Sequence, residues 1–223
     1  MRSGEEHGRT LGIDLSAQPK GTASCGIDWA TGEVACTLHV DDRTLLTQAR
    51  SVLAGGGIVA IDAPFGWPVP FVEAVERNRA GLPFGDTPSR SLRLRTTDQS
   101  IEGRPPLSVS SDRIAAVAFR AARLLDALGG VRRDGQDRVI EVYPAAALRR
   151  WKLELPGYKR DAGLRARIVT ALAAALPVLK LAGCADILRL SADALDALVA
   201  ALVAGPGHSG WSTCRRPTKP RSP

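Results

Sequence analysis

Three acidic residues recur in one local setting. GIDLS carries Asp14, AIDAP carries Asp62 and VIEVYP carries Glu141, each between branched or otherwise apolar neighbours. Short continuous apolar runs of this kind read as core strands. An ionised carboxylate inside one costs several kcal/mol unless it is paired, hydrogen-bonded or bound to a metal. No basic residue lies within the three runs beyond Arg138 at the edge of the last, so a cation shared between the acids would resolve the difficulty. An oxygen-only ligand set suits magnesium or manganese, whereas zinc would want His or Cys. The alternative for each acid alone is a strand end where the carboxylate caps the following turn. Taken together the three favour a common site, because ligands in open α/β sheets bind outside the carboxyl ends of the strands.

A fourth acid comes from the helical run SADALDALVAALVA. Asp193 lies in its first turn, where a carboxylate complements the helix dipole. Asp196 sits one turn deeper on a flank shared with Val199, Ala200 and Val203, with no Lys or Arg three or four residues away to pair with it. It should point toward something positive in the fold. Other signals carry less. Asp28 repeats the GID string but precedes a hairpin turn that it can serve, and Gly205, Gly207 and Gly210 spell GxGxxG after a helix without opening a second one. His7, His39 and His208 have no GxSxG or cysteine motif beside them, which argues against a hydrolytic triad. Cys25, Cys36, Cys184 and Cys214 form no CxxC pair and have no histidine at metal-ligand spacing, and we read them as reduced, mostly buried thiols.

The elements that must position these acids follow from periodicity. Residues 10–16 read as a buried strand, and 22–29 with 33–40 as a hairpin, giving an antiparallel meander. Asp42 can cap a helix through Leu53 that ends at Gly55 to Gly57, and a strand over 58–64 follows. A helix between two strands permits a crossover, so this fourth strand can lie parallel to the first. The stretch 64–110 is rich in proline and arginine around a helix over 71–79, and reads as an insertion shaping a binding face. Ser110 and Ser111 can cap a helix with an apolar stripe from Ile114 to Leu128, and a fifth strand covers 138–143. Helices over 145–152, 164–176 and 192–204 follow, the last behind a Ser191 cap, and there are no internal repeats.

Composition bounds the class. The chain has 223 residues, 44% hydrophobic and 24% charged, which suits one soluble domain over 10–205 with a basic, Pro-rich tail over 206–223. The N-terminus lacks the apolar run of a signal peptide, and the apolar stretch 171–181 is short and broken by Pro177, so we expect a cytoplasmic protein with no membrane contact. A net charge of +7 suits an anionic partner. Arg215, Arg216, Lys219 and Arg221 lie in the tail and Arg90, Arg93 and Arg95 in the insertion, where solvated surface is the rival reading.

The segments GIDLSAQPKGTA, IVAIDAPFGWP, RTTD, VIEVYPAAAL and DALDALVAALVA, in that order over roughly 11–204, resemble the family called domain of unknown function 429, regarded as predicted RNase H-like nucleases. The resemblance implies an RNase H-like α/β fold: a five-stranded mixed sheet, its first three strands antiparallel, with helices on both faces. It makes Asp14, Asp62, Glu141 and Asp196 the catalytic, metal-holding acids, with Mg2+ or Mn2+, two ions in all, and two-metal hydrolysis of DNA or RNA as the expected activity. Arg95 and Asp98 match the family's arginine and aspartate, and Ser16, Lys20 and Lys159 join them as substrate contacts. Ion pairing for Arg95 with Asp98, and solvent exposure for the lysines, are the alternatives. The sequence departs from the family at its end, where Gly210 and Trp211 lead into STCRRPTKPRSP. Two other classes stay open. One is a nucleotide-binding or phosphotransfer protein of the actin and sugar-kinase branch, which normally has two such domains and a glycine-rich phosphate turn. The other is a non-catalytic member stabilised by metal.

Overall fold

The short apolar runs become strands of one sheet in the computed structural model, which describes residues 8–101, 107–110, 114–131 and 137–205. The strands are β1 (Arg9–Asp14), β2 (Ala23–Asp28), β3 (Glu33–Leu38), β4 (Ile58–Asp62) and β5 (Val139–Glu141). They lie in the order β3-β2-β1-β4-β5, with β1, β2 and β3 antiparallel, and β4 parallel to both β1 and β5. This is the mixed five-stranded sheet expected, although β5 is only three residues long.

Helices cover both faces. On one side α1 (Asp42–Ala54) and α5 (Ala115–Ala127) pack Leu45, Ala49, Ala121, Leu124 and Leu125 against Leu11, Ile13, Val59, Ile61 and Val139. On the other, α6 (Pro144–Arg150), α7 (Ala162–Ala175), α8 (Ala185–Leu190) and α9 (Ala192–Val203) bury a second cluster against Ala23, Cys25, Ile27, Ala60 and Ile140. Alternation along each strand assigns successive residues to opposite clusters. Between β4 and α5 lie α2 (Val69–Arg79), α3 (Ser89–Arg93) and α4 (Thr96–Gln99), the described part of the insertion.

α9 is the central helix, buried along nearly its whole length because its residues are almost all small or apolar. It presses directly on β1 at Gly12, where a Cβ would lie 2.0 Å from the Ala197 carbonyl oxygen and 2.3 Å from the Ala201 nitrogen. Only glycine permits that approach. Ser191 caps the helix, its hydroxyl accepting from the Ala194 N–H at 3.1 Å.

Several local expectations are corrected. Asp41, not Asp42, caps α1, its carboxylate accepting from the Thr44 N–H at 2.8 Å, which leaves Asp42 as the first helical residue. Ser110 does not cap α5 but bonds the Ser108 hydroxyl at 2.9 Å; Ser111 lies outside the described residues. A 3-10 turn (Leu181–Cys184) and α8 were not anticipated. Cys25 and Cys36 are not thiols: they are Cα partners across β2 and β3 and are joined by a disulfide, while Cys184 is free and buried. Asp28 serves the hairpin turn as expected, accepting from the Ala30 and Thr31 N–H groups at 3.1 Å. The tail with Cys214 and its basic residues, together with 102–106 in the insertion, falls outside the described residues. Among the described residues no helix is long and apolar enough to cross a membrane.

Candidate functional site

The parallel register of β1 and β4 makes Asp14 and Asp62 Cα partners at the carboxyl ends of adjacent strands. Asp14 follows Ile13 and Asp62 follows Ile61, and both isoleucines belong to the α1–α5 cluster. Alternation therefore turns both aspartates to the α9 face. The Gly12 contact brings α9 down on that face, and Asp196, one turn before Ala200, is 1% exposed there.

Asp196 is held from both sides. The Tyr158 hydroxyl donates to Oδ1 at 2.8 Å, and Lys159 Nζ forms an ion pair with Oδ2 at 2.7 Å. Tyr158 is itself fixed by Arg165, buried in α7, whose Nη1 donates to the Tyr158 carbonyl at 2.7 Å. The Lys159 side chain remains 57% exposed, so its ammonium reaches the site from solvent.

The electrostatics are those of crowded negative charge. Burial, then Asp62 and Asp196, push the Asp14 carboxyl well above its ordinary value, with Lys159 opposing. Burial and Asp196 raise Asp62 to about 7, again against Lys159. Asp193, expected to serve only the helix dipole, adds to the repulsion on Asp14 and is itself raised by burial and by Asp196. Burial works to lower Lys159, but Asp196, Asp14 and Asp62 outweigh it and hold the ammonium charged. Three carboxylates thus share one ammonium.

Glu141 does not join them. Its Cα partner on β4 is Ile61, so it stands on the opposite face from Asp62. There Arg95 grips it in a bidentate pair, Nη1 to Oε2 at 3.0 Å and Nη2 to Oε1 at 2.7 Å, and the Phe65 N–H adds a bond at 3.2 Å. Burial raises Glu141 to about 7, with Arg95 pulling the other way; a guanidinium held by two bonds to one carboxylate keeps that carboxylate ionised at neutral pH. The same guanidinium donates to Asp98, Nε to Oδ2 at 3.0 Å and Nη2 to Oδ1 at 2.8 Å. Asp98 is 1% exposed and also accepts from the Arg95 N–H, closing a capping box at α4. The expectation that four acids converge is therefore corrected to three. Arg95 and Asp98 take the ion-pair alternative, tying the insertion to β5, with four guanidinium hydrogen bonds of Arg95 directed to the Asp98 and Glu141 carboxylates rather than to an outside anion.

The remaining expected contacts divide. Ser16 organises the β1–β2 turn, its hydroxyl accepting from the Gln18 N–H at 3.2 Å and bonding the Gln18 and Lys20 carbonyls. Lys20 is exposed in that turn. Three contributors escaped the sequence reading: Tyr158, Arg165 and Arg120. Arg120, buried in α5, pairs with Asp42 and donates through Nη1 to the Ser16 and Gln18 carbonyls, both at 2.8 Å, and to Thr22 Oγ1 at 2.6 Å. An arginine interrupting the apolar face of α5 was the available signal. Ser24 and His39 do meet, at 2.7 Å, but the Ser24 hydroxyl donates to Gln48 Oε1 on α1 at 2.8 Å, so its proton is not directed at the imidazole.

Among the described residues no group of three or more His, Cys, Asp or Glu side chains is spaced to hold an ion as placed. The chemistry of Asp14, Asp62 and Asp196 nevertheless fits a hard divalent cation: all donors are oxygens, three acids face the single ammonium of Lys159, and no hydrogen bond to the Asp14 or Asp62 carboxyl occurs among the described residues. Lys159, with its side chain 57% exposed, is the group that a cation at Asp196 would have to displace.

No curated protein and no solved structure matches the chain. One family does, described as Protein of unknown function (DUF429), over residues 12–221, a span that runs past residue 204 into the basic tail. The match covers nearly the whole sequence, and the chain belongs to the DUF429 family.

Proposed function

We propose that the protein is a cytoplasmic, metal-dependent phosphodiesterase of the RNase H-like superfamily, acting on nucleic acid. The observation that carries this reading is the gathering of Asp14 and Asp62, in register on adjacent parallel strands, beneath Asp196 from a helix packed on the same face. The sheet order and helices on both faces are those the RNase H-like fold requires. With Glu141 committed to Arg95, the residues that would hold the ion are Asp14, Asp62 and Asp196. Bound Mg2+ or Mn2+ would supply a polarised water and charge neutralisation at the phosphodiester.

The chain's own groups would do the rest. Tyr158 fixes the rotamer of Asp196 through Oδ1, leaving Oδ2 to face a cation. Lys159, if released from Oδ2, would offer its ammonium to a phosphate oxygen, and Lys20 in the turn after Asp14 would offer a second. Partial burial of Asp14 and Asp62 and full burial of Asp196 strengthen the charge interactions among them.

The test is a panel of labelled DNA and RNA structures incubated with magnesium or manganese, beside the Asp14→Asn protein. Metal-dependent cleavage by the wild type, lost in a variant that keeps its circular dichroism spectrum, is expected. Cleavage retained by Asp14→Asn refutes the assignment, and a metal-induced rise in melting temperature without turnover on any substrate favours a non-catalytic, metal-stabilised protein.

A further inference from the structure

A cavity of about 500 Å³ opens between α5 and the β1–β2 turn. Its walls include Ala17, Gln18 and Pro19 from the turn, Leu46 from α1, and Phe119 and Arg123 from α5. The turn is the segment immediately after Asp14. Phe119 also touches Trp67, their ring centroids 5.4 Å apart and their planes tilted by 36°. Trp67 lies in the segment immediately after Asp62. The cavity and its aromatic pair therefore stand between the loops that follow the two paired aspartates, at the carboxyl ends of β1 and β4.

The lining has an uncommon composition for a solvent-facing surface. Phe119 is 57% exposed although aromatic residues make up only 4% of the chain, so an exposed phenyl ring in tilted contact with an indole is not a by-product of abundance. Arg123 is exposed and makes no ion pair or hydrogen bond among the described residues, in contrast to Arg120 one turn earlier, whose donors are spent on Asp42 and the turn. The Gln18 carboxamide is likewise unbonded among the described residues. Asp42, the acid in the wall, is neutralised by Arg120. The surface thus offers a flat π-face, a free amide and a free guanidinium.

That is the complement of one nucleotide: a base face to stack, a base edge to hydrogen-bond and a phosphate to neutralise. The volume is that of a small-ligand site, and a base inside a closed duplex has no face to present. We propose that this cavity is a subsite for an unpaired nucleotide of single-stranded nucleic acid, its base on Phe119 and its phosphate on Arg123. The inference rests on the nucleic-acid reading above and narrows it to a strand that is single at this point.

The experiment is fluorescence anisotropy in EDTA, so that cleavage plays no part. A labelled oligothymidylate of about ten nucleotides, within the usual site sizes of stacking grooves, is titrated with the full chain. The wild type is compared with Phe119→Ala and Arg123→Ala, both exposed positions, with circular dichroism confirming that each variant folds. Phe119→Ala should weaken binding by about 5- to 150-fold, the range for losing one stacked base. Arg123→Ala should weaken it and lower the salt dependence by about one counterion. Blunt duplex should bind equally to wild type and Phe119→Ala. Trp67 fluorescence should change when the strand binds.

Wild-type affinity in both variants, or no single-strand binding by the wild type, overturns the subsite. If only thymidine monophosphate binds, and Phe119→Ala abolishes it, the site takes a free nucleotide and the strand assignment is wrong. The two readings fail separately. Cleavage with unchanged binding in both variants removes the subsite and leaves the hydrolase; loss of binding in a protein that cleaves nothing keeps the subsite and removes the hydrolase.

Discussion

Asp62→Asn should stabilise the metal-free protein, and the gain should grow with pH. Asp62 titrates near 7 in the folded chain, against an ordinary value of 3.8, because it is buried and faces Asp196. A carboxyl whose pKa rises on folding binds a proton more tightly in the folded state. Its contribution to stability is whole below about 4, falls as the pH climbs, and is lost above about 7. A shift of roughly three units corresponds to about 4 kcal/mol at pH 8. Asparagine keeps the shape and has no charge to desolvate. Since Asp14 and Lys159 readjust when their neighbour is neutral, a gain of about 2–4 kcal/mol is expected, which for a chain of this size raises the melting temperature by about 4–16 °C. Near pH 4.5 the gap should shrink below about 1 kcal/mol. The assay is thermal and urea unfolding in EDTA across pH 4.5 to 8.5, repeated with Mn2+, which should stabilise the wild type and leave the variant unmoved. A variant less stable than wild type at pH 8, or a gap independent of pH, would show that the three acids are not electrostatically crowded.

Arg95→Met strands Glu141 and Asp98 as buried carboxylates without a cation, and urea unfolding at pH 8 should read a loss of about 3–5 kcal/mol. A loss under about 1 kcal/mol would mean that the pairing does not anchor the insertion. Lys159→Met removes the ammonium that competes for the acids, so titration calorimetry should find Mn2+ bound about tenfold more tightly while the metal-free melting temperature falls; weaker Mn2+ binding would make Lys159 a helper of the metal rather than its rival. Gly12→Ala drives a methyl group into the α9 backbone and should cost about 3 kcal/mol or more, seen as a collapse in melting temperature or in soluble yield. Wild-type stability in that variant would contradict the close packing of β1 on α9.

Much of the frame was legible because its signals are local. The runs around Asp14 and Asp62 read as strands from their own residues, and the helix before the second left room for the parallel pairing that the sheet adopts. The error over Glu141 was one of parity. Position along a strand is local information, but which face a residue takes depends on register with a neighbour reached through a long crossover, and a shift of one residue reverses it. The pattern could not tell that Glu141 lies opposite Ile61 rather than Asp62. The Cys25–Cys36 bond was legible and overlooked: both residues stand three places from the paired ends of their hairpin, Asp28 and Glu33, so counting outward from the turn brings them face to face. The pairing of Tyr158 and Lys159 with Asp196 joins distant parts of the chain, which no local pattern encodes.

The Arg120 clasp bears on when the site can form. Its guanidinium bonds Ser16 and Thr22 across 104 and 98 residues of sequence. The turn following Asp14 is therefore set by a side chain made far later in synthesis, and cannot take its final shape until α5 has docked. Contacts of such span are closed late in folding. A chain emerging from the ribosome would hold Asp14 and Asp62 side by side well before the wall beside them was in place, so this pocket would be among the last parts of the domain to mature.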